Sequence, residues 1–289
     1  MRDFFSLIDF PVINKLAFLT LILTMLLDTG LGLTVQQIWE PLRNLRLIFL
    51  SLVANFILVP IFVYLLLLVM PLNEPIKIAF SIMAVAAGPP VLPKLAQLVN
   101  GNIAFSAGLM MVMMALTAVY MPIALPLLLQ GVQLNPWDIV KPLLSLMLIP
   151  LAIGLMIKAR YNALAVTIQP LMRQISGKAL LLGLATSLVL QFDSLIDLIK
   201  TGAFLAIAGF IVVSYTLGYL LGGPHFDTRR TLAVGTAQRN IAAALLTAGS
   251  NFDDPSIVSV IVVTSLSMFV FIRLLARQSV AGIEQPEVS

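Results

Sequence analysis

The stretch Gly88-Pro89-Pro90-Val91-Leu92-Pro93-Lys94 lies inside an apolar run from 76 to 100, and Val234-Gly235-Thr236-Ala237-Gln238-Arg239-Asn240 lies inside another from 228 to 247. Each run has the length of a bilayer span, and each is interrupted at mid-depth by helix-breaking or cationic residues. A helix broken inside hydrocarbon frees backbone N–H and C=O groups, which persist there only where protein or a water-lined cavity satisfies them. Interrupted segments at corresponding places in the two halves of a hydrophobic chain point to a midplane substrate site, and so to a transporter.

The rest of the chain supports a membrane setting. Of its 289 residues 60% are hydrophobic and 10% charged, with a mean hydropathy of +1.04, which excludes a soluble domain. We read residues 1–289 as a single polytopic transmembrane domain of all-α class. Strand-like alternation is absent, which argues against an outer-membrane barrel. With no cysteine there are no disulfides, thiolate metal sites or cysteine nucleophiles. His225, beside Asp227 in a predicted loop, has no clustered ligands and makes no metal site. No nucleophile with a base, no paired carboxylates and no phosphate loop appear, so enzyme chemistry has no support. No cofactor or nucleic-acid partner is implied, and the sequence specifies no oligomeric state.

Hydropathy predicts nine helices at 13–34, 46–70, 76–100, 103–129, 137–158, 174–193, 201–222, 228–247 and 255–276. With the first connection cytoplasmic, that side holds Arg43, Arg46, Lys158, Arg160, Arg173, Lys178, Arg229, Arg230, Arg273 and Arg277. The other side holds Arg2, Lys15, Lys77, Lys141 and Lys200. The asymmetry predicts a multi-pass cell-membrane protein with its N-terminus outside and a cytoplasmic C-terminal tail, 278–289. Residues 1–15 carry two acids and no small-residue cleavage site, so this segment is expected to be retained. Trp39 and Trp137 fall at span ends, where interfacial indoles are expected. The breaks lie in the third and eighth helices and cross in opposite directions. That parity predicts an inverted repeat, 13–130 and 137–277, with four helices in the first half and five in the second.

Candidate site residues gather near the breaks. Lys94 lies well inside its segment, where a cation costs about 2.5 to 3.5 kcal/mol unless paired or hydrated. It is read as a fixed charge for an anion or a titrating group, with a snorkelling lysine as the alternative. Arg239 is near mid-helix, flanked by Gln238 and Asn240. It contacts substrate or gates, or it is a structural arginine that donates to freed carbonyls of the other broken helix. Asp28 is a counter-ion for Lys94 or Arg239 and a candidate for proton coupling, unless it is a hydrated helix-end carboxylate. Pro93, Thr236, Asn55 and Ser106 complete the candidates, and no metal site is assigned. The Met110, Met111, Met113, Met114 run is apolar filler in the first instance, and otherwise the lining of an adaptable pocket.

Gly30-Leu31-Gly32-Leu33-Thr34, Asn55-Phe56-Ile57-Leu58-Val59-Pro60, Gly101-Asn102-Ile103-Ala104-Phe105-Ser106 and the run from Ala233 to Ala244 form an ordered set that coincides with the breaks. They resemble Gly-Met-Gly-Leu-Thr, Gln-Phe-Ala-Ile-Met-Pro, Gly-Asn-Val-Ala-Leu-Ser and Glu-Val-Gly-Met-Gln-Asn-Ser-Gly-Leu-Ala-Ala-Ala of the bile acid:sodium symporter family. The resemblance spans nearly the whole chain. It implies inverted repeats, a core domain with two crossed broken helices, a panel domain, alternating access and an organic-anion substrate. Members lacking the first helix have nine spans.

The family's sodium ligands are largely missing. Its acidic ligand falls at Ala233, its Gln ligand at Ala237, a hydroxyl ligand at Met110, and its Ser-Asn pair at Leu92 and Pro93. Ser106 and Asn55 keep polar groups, Asn55 standing where Gln occurs. Lys94 and Arg239 are therefore expected to fill electrostatically the space of the ions, leaving uniport, exchange or proton coupling. The alternatives are a sodium-coupled organic-anion symporter with relocated ion sites, an arsenite exporter disfavoured by the absence of cysteine, and a non-transporting membrane sensor or scaffold.

Overall fold

The structure, a computed structural model, describes residues 9–39, 43–129, 132, 134–190 and 202–281. Among them there is no strand, and the helices are joined by short turns. Six are long and apolar enough to cross a bilayer. These are α1 (Phe10–Gly32), α2 (Leu45–Val69), α4 (Ile103–Leu128), α5 (Pro136–Arg160), α7 (Ala203–Leu221) and α9, whose apolar part is Pro255–Ala276. Between them lie the interrupted pairs α3a (Glu74–Val85) with α3b (Leu92–Leu98), and α8a (Phe226–Ala237) with α8b (Ile241–Asn251), together with α6 (Asn162–Leu190).

Short polar side chains start the helices. Asp9, Asn44, Asn102, Asn135 and Asn240 each accept a hydrogen bond from a backbone N–H of the first turn of α1, α2, α4, α5 and α8b. Such caps satisfy donors that an apolar surround would otherwise leave orphaned. Proline follows at the first or second position of α1 and α5, where its missing N–H costs nothing. α2 and α5 each contain a π-helical stretch, Ala54–Leu58 and Leu143–Leu148.

Two groups of helices share the molecule. α1 packs along α6 and α5. Its Asn14 Nδ2 donates to Gly183 O, Thr186 Oγ1 and Ser187 Oγ on α6 at 2.8 to 3.0 Å. Where α1 meets α5, a Cβ on Gly30 would lie 2.9 Å from the Gly154 Cα, so glycine permits that approach. The other helices surround the two interruptions, and there the most deeply buried side chains collect, Phe80, Met83, Leu92, Leu95, Met110 and Met113 among them. Met110, Met113 and Met114 are fully enclosed, while Met111 is half-buried.

α6 differs from its expected bounds of 174–193. It begins at Asn162, twelve residues earlier, because the helix runs on through Gln169, Pro170 and Arg173, which interrupt the apolar pattern of 162–173. Positions 191–193 of that expected span, residue 201 of the next, residues 1–8 and most of the predicted tail, 282–289, lie outside the described residues.

Candidate functional site

Local chemistry dictates the first interruption. Pro89 and Pro90 have no N–H to donate and their rings clash with a preceding helical turn. Gly88 adopts φ +75°, and a Cβ there would lie 2.7 Å from Met113 Cβ and Met114 N of α4, so the position needs glycine twice over. The freed groups are satisfied one by one. Thr117 Oγ1 on α4 donates to Ala87 O at 3.0 Å and accepts from Ala87 N at 3.1 Å. Ala86 O accepts from Asn240 N at 2.9 Å, a direct bond between the two interruptions. Pro90 O accepts from Thr29 Oγ1 of α1 at 3.4 Å.

Long-range bonds hold the second interruption, which has neither proline nor a left-handed residue. Arg239 is completely buried. Its Nε donates to Met83 O at 2.8 Å, and its Nη2 to Ala84 O at 2.5 Å and Asn55 O at 3.5 Å. Its Nη1 donates to Asn55 Oδ1 at 2.9 Å and Thr236 O at 3.4 Å. A guanidinium has five N–H donors, and five oxygens take them. Met83 and Ala84 are in the last turn of α3a, where the helix dipole is negative; Met83 O also accepts from Ala86 N at 3.2 Å, while Ala84 O takes the guanidinium in place of a helical donor. The guanidinium thus closes the end of the other broken helix. Asn55 sits in the π-helical stretch of α2, where its Nδ2 also donates to Thr236 Oγ1 at 3.0 Å.

Lys94 occupies different surroundings. Its side chain, on α3b, is 53% exposed, and its Nζ donates to Asp28 Oδ2 on α1 at 3.0 Å. The Asp28 side chain is 4% exposed and receives a second cation, Arg173 of α6, at 3.3 and 3.4 Å. Gln169 Nε2 donates to Asp28 O at 3.3 Å. Beside this cluster is a cavity of about 110 Å³ lined by Asp28, Thr29, Gly32, Leu33, Pro90, Pro93, Lys94 and Gln169.

The candidate residues therefore divide. Asn55, Thr236, Arg239 and Asn240 knit the interruptions together, while Asp28, Lys94 and Pro93 border the cavity. Asp28 pairs with Lys94 and not with Arg239. Gln238 is buried in the second interruption with its Oε1 unpartnered, and Ser106 donates back to Ile103 O in its own helix turn. Arg173, Gln169 and Thr29 were not singled out from the sequence, and Thr117 was expected only to make a helix-packing hydrogen bond. Arg173 was read only as an interfacial charge, because α6 was expected to begin one residue later.

A hard cation such as sodium needs several oxygen ligands. Five oxygens at the crossing, Asn55 Oδ1 and the carbonyls of Asn55, Met83, Ala84 and Thr236, accept from Arg239, Gln238 Oε1 stands unpartnered beside them, and Ala233 and Ala237 offer no side-chain oxygen. This donor set does not fit a sodium ion while the guanidinium occupies it. A family model described as the Sodium Bile acid symporter family matches residues 19–217, which is more than half of the chain and ends before the second interruption. No curated protein matches the chain.

Proposed function

Since the chain belongs to the sodium bile acid symporter family, a family of membrane transporters, we propose that it carries a small or medium organic anion by alternating access without using the family's usual sodium sites. In this reading nine spans form an inverted repeat of four and five helices. α1, α5 and α6 act as the panel and the remaining helices as the core, in a cell membrane with the C-terminus cytoplasmic. The anion binds where core meets panel, at the cavity beside Lys94.

The observation that carries this reading is the saturation of Arg239. With all five donors engaged, its guanidinium has none left for a substrate, and it supplies at the crossing a positive charge covalently tethered to the protein. Lys94 is the opposite case. Its ammonium has three donors, Asp28 takes one, and its half-exposed side chain can reach an incoming carboxylate or sulfonate. The helix ends that hold Arg239 also explain how a charge sits in an apolar core, since carbonyl dipoles replace the water it would lose.

The test is uptake of labelled organic anions into proteoliposomes with and without an inward sodium gradient. Uptake at equal rates in both conditions, abolished by Lys94→Ala, is the expected result. Uptake that saturates with sodium and collapses without it overturns the ion-free reading and returns the chain to sodium-coupled symport.

A further inference from the structure

Asp28, Lys94 and Arg173 come from three different helices and together carry a net charge of +1; Asp28 and Lys94 line the cavity, and Arg173 stands behind them, bound to Asp28. The other polar neighbours are neutral. Gln169 donates to the Asp28 carbonyl and Thr29 donates to Pro90 O, so neither changes the sum. The carboxylate is enclosed while its two cations are half-exposed, at 53% and 55%, so their field is only partly screened and an occupant that brings the sum to zero is favoured. From this geometry, and resting on the anion-transport reading above, we infer that Asp28 is a specificity-determining residue that sets the charge of the transported anion, matching the site to a single negative charge.

The chemistry works through both cations. Asp28 is enclosed and has spent its two oxygens, Oδ2 on Lys94 and both on Arg173. It lowers the positive field that a substrate meets without removing it. One carboxylate or sulfonate headgroup then leaves two cations facing two anions. A dianion would leave an excess negative charge beside the buried Asp28 carboxylate, at a distance where like charges repel strongly in a low dielectric. The cavity volume is that of a few water molecules, so it takes a headgroup and not a whole bulky substrate. Asp28 contacts the cations and not the anion, which makes it a positioning and charge-setting residue whose removal changes preference before it changes capacity.

The experiment is ligand-induced thermal stabilisation of the purified full chain, with chloride and ionic strength held constant. The probes are matched pairs, acetate with malonate, butyrate with succinate, and benzoate with isophthalate, each read as apparent affinity. Four proteins are compared, and each shift is taken from the variant's own unliganded midpoint. The native cluster, at +1, is expected to favour the monoanion of each pair by about tenfold. Asp28→Asn, at +2, reverses the order. Arg173→Gln, at zero, loses the response to monoanions. The double variant Asp28→Asn with Arg173→Gln returns the cluster to +1 and regains the monoanion preference, a rescue that a packing role for Asp28 does not produce.

If anions stabilise the native protein but the Asp28→Asn order stays unchanged, or the double variant fails to regain the preference while still binding, the charge-setting role is wrong and the anion site stands. If no anion stabilises any of the four proteins, the anion-transport reading itself falls.

Discussion

Two cations lie next to the two helix interruptions, and they are held in opposite ways. Arg239 is completely buried among five neutral oxygens, whereas Lys94 is half-exposed and bound to a carboxylate. The difference separates architecture from chemistry. A guanidinium whose donors are all used by backbone and amide oxygens is part of the frame. An ammonium with free donors beside a cavity is available for exchange with a ligand. Proximity to a break, the property the two share in sequence, does not distinguish these roles, and the number of unused donors does.

The sharpest way to break the comparison is to remove Arg239. Arg239→Met leaves Ala84 O and Asn55 Oδ1 without a donor in a dry interior and takes one of two donors from Met83 O, and buried acceptors left unmade cost about 1 to 3 kcal/mol each. A loss of about 3 to 5 kcal/mol is expected, seen as a large fall in the thermal midpoint in detergent or failure to purify a folded protein. Arg239→Lys is expected to recover little, because three donors on a point charge cannot reproduce a planar five-donor fork. An Arg239→Met protein as stable as the native one, yet unable to transport, would place Arg239 with Lys94 and dissolve the contrast.

Gly88→Ala comes next. It forces a side chain onto a residue at φ +75°, which costs roughly 1 to 2 kcal/mol, and pushes a methyl group into α4 at 2.7 Å, where overpacking adds about 1 to 3 kcal/mol. Chemical or thermal denaturation should record a loss of about 2 to 5 kcal/mol, the sum of the two effects. A smaller effect belongs to Thr117→Val, which leaves both the N–H and the C=O of Ala87 unpaired for about 2 kcal/mol, while Thr117→Ser keeps the hydroxyl and should behave like the native protein. If valine is tolerated as well as serine, water has taken over the bonds and the first interruption is wetter than its burial indicates.

These cases mark what the sequence could tell. The membrane class and the first interruption were legible because Gly88, Pro89 and Pro90 act through their own backbone chemistry, which no tertiary contact is needed to predict. The second interruption was visible as polar residues in an alanine-rich run, but its cause was not. Asn240 N reaches Ala86 O, and Arg239 reaches Met83 and Ala84, all more than 150 residues away in the chain. Asp28 had two candidate partners by charge alone, and only the packing of α1 against α3b selects Lys94. Arg173 was missed because Gln169, Pro170 and Arg173 itself break the apolar pattern there and read as a connection between spans, so its approach to α1 left no local signal. The Ser106 hydroxyl donates within its own helix turn, a bond that its residue type does not announce.

The smallest effect on stability is expected where the effect on transport is largest. Lys94→Gln removes one ion pair whose lysine is half-exposed, and exposed pairs contribute about 0 to 1 kcal/mol. Asp28 keeps Arg173 as a partner, so no buried carboxylate is stranded. The thermal midpoint should therefore move little. In the proposed reading transport depends on the charge itself, and loss of a charged hydrogen bond to a substrate anion would weaken binding by about 1.5 to 3 kcal/mol, or roughly 10- to 100-fold. Uptake measured against anion concentration should show this as a raised half-saturation concentration, and the native protein, unlike Lys94→Gln, should lose affinity as salt is increased. A variant with native uptake and native salt dependence would mean that Lys94 only ties α3b to α1, and the contrast with Arg239 would then be between two structural cations of unequal burial.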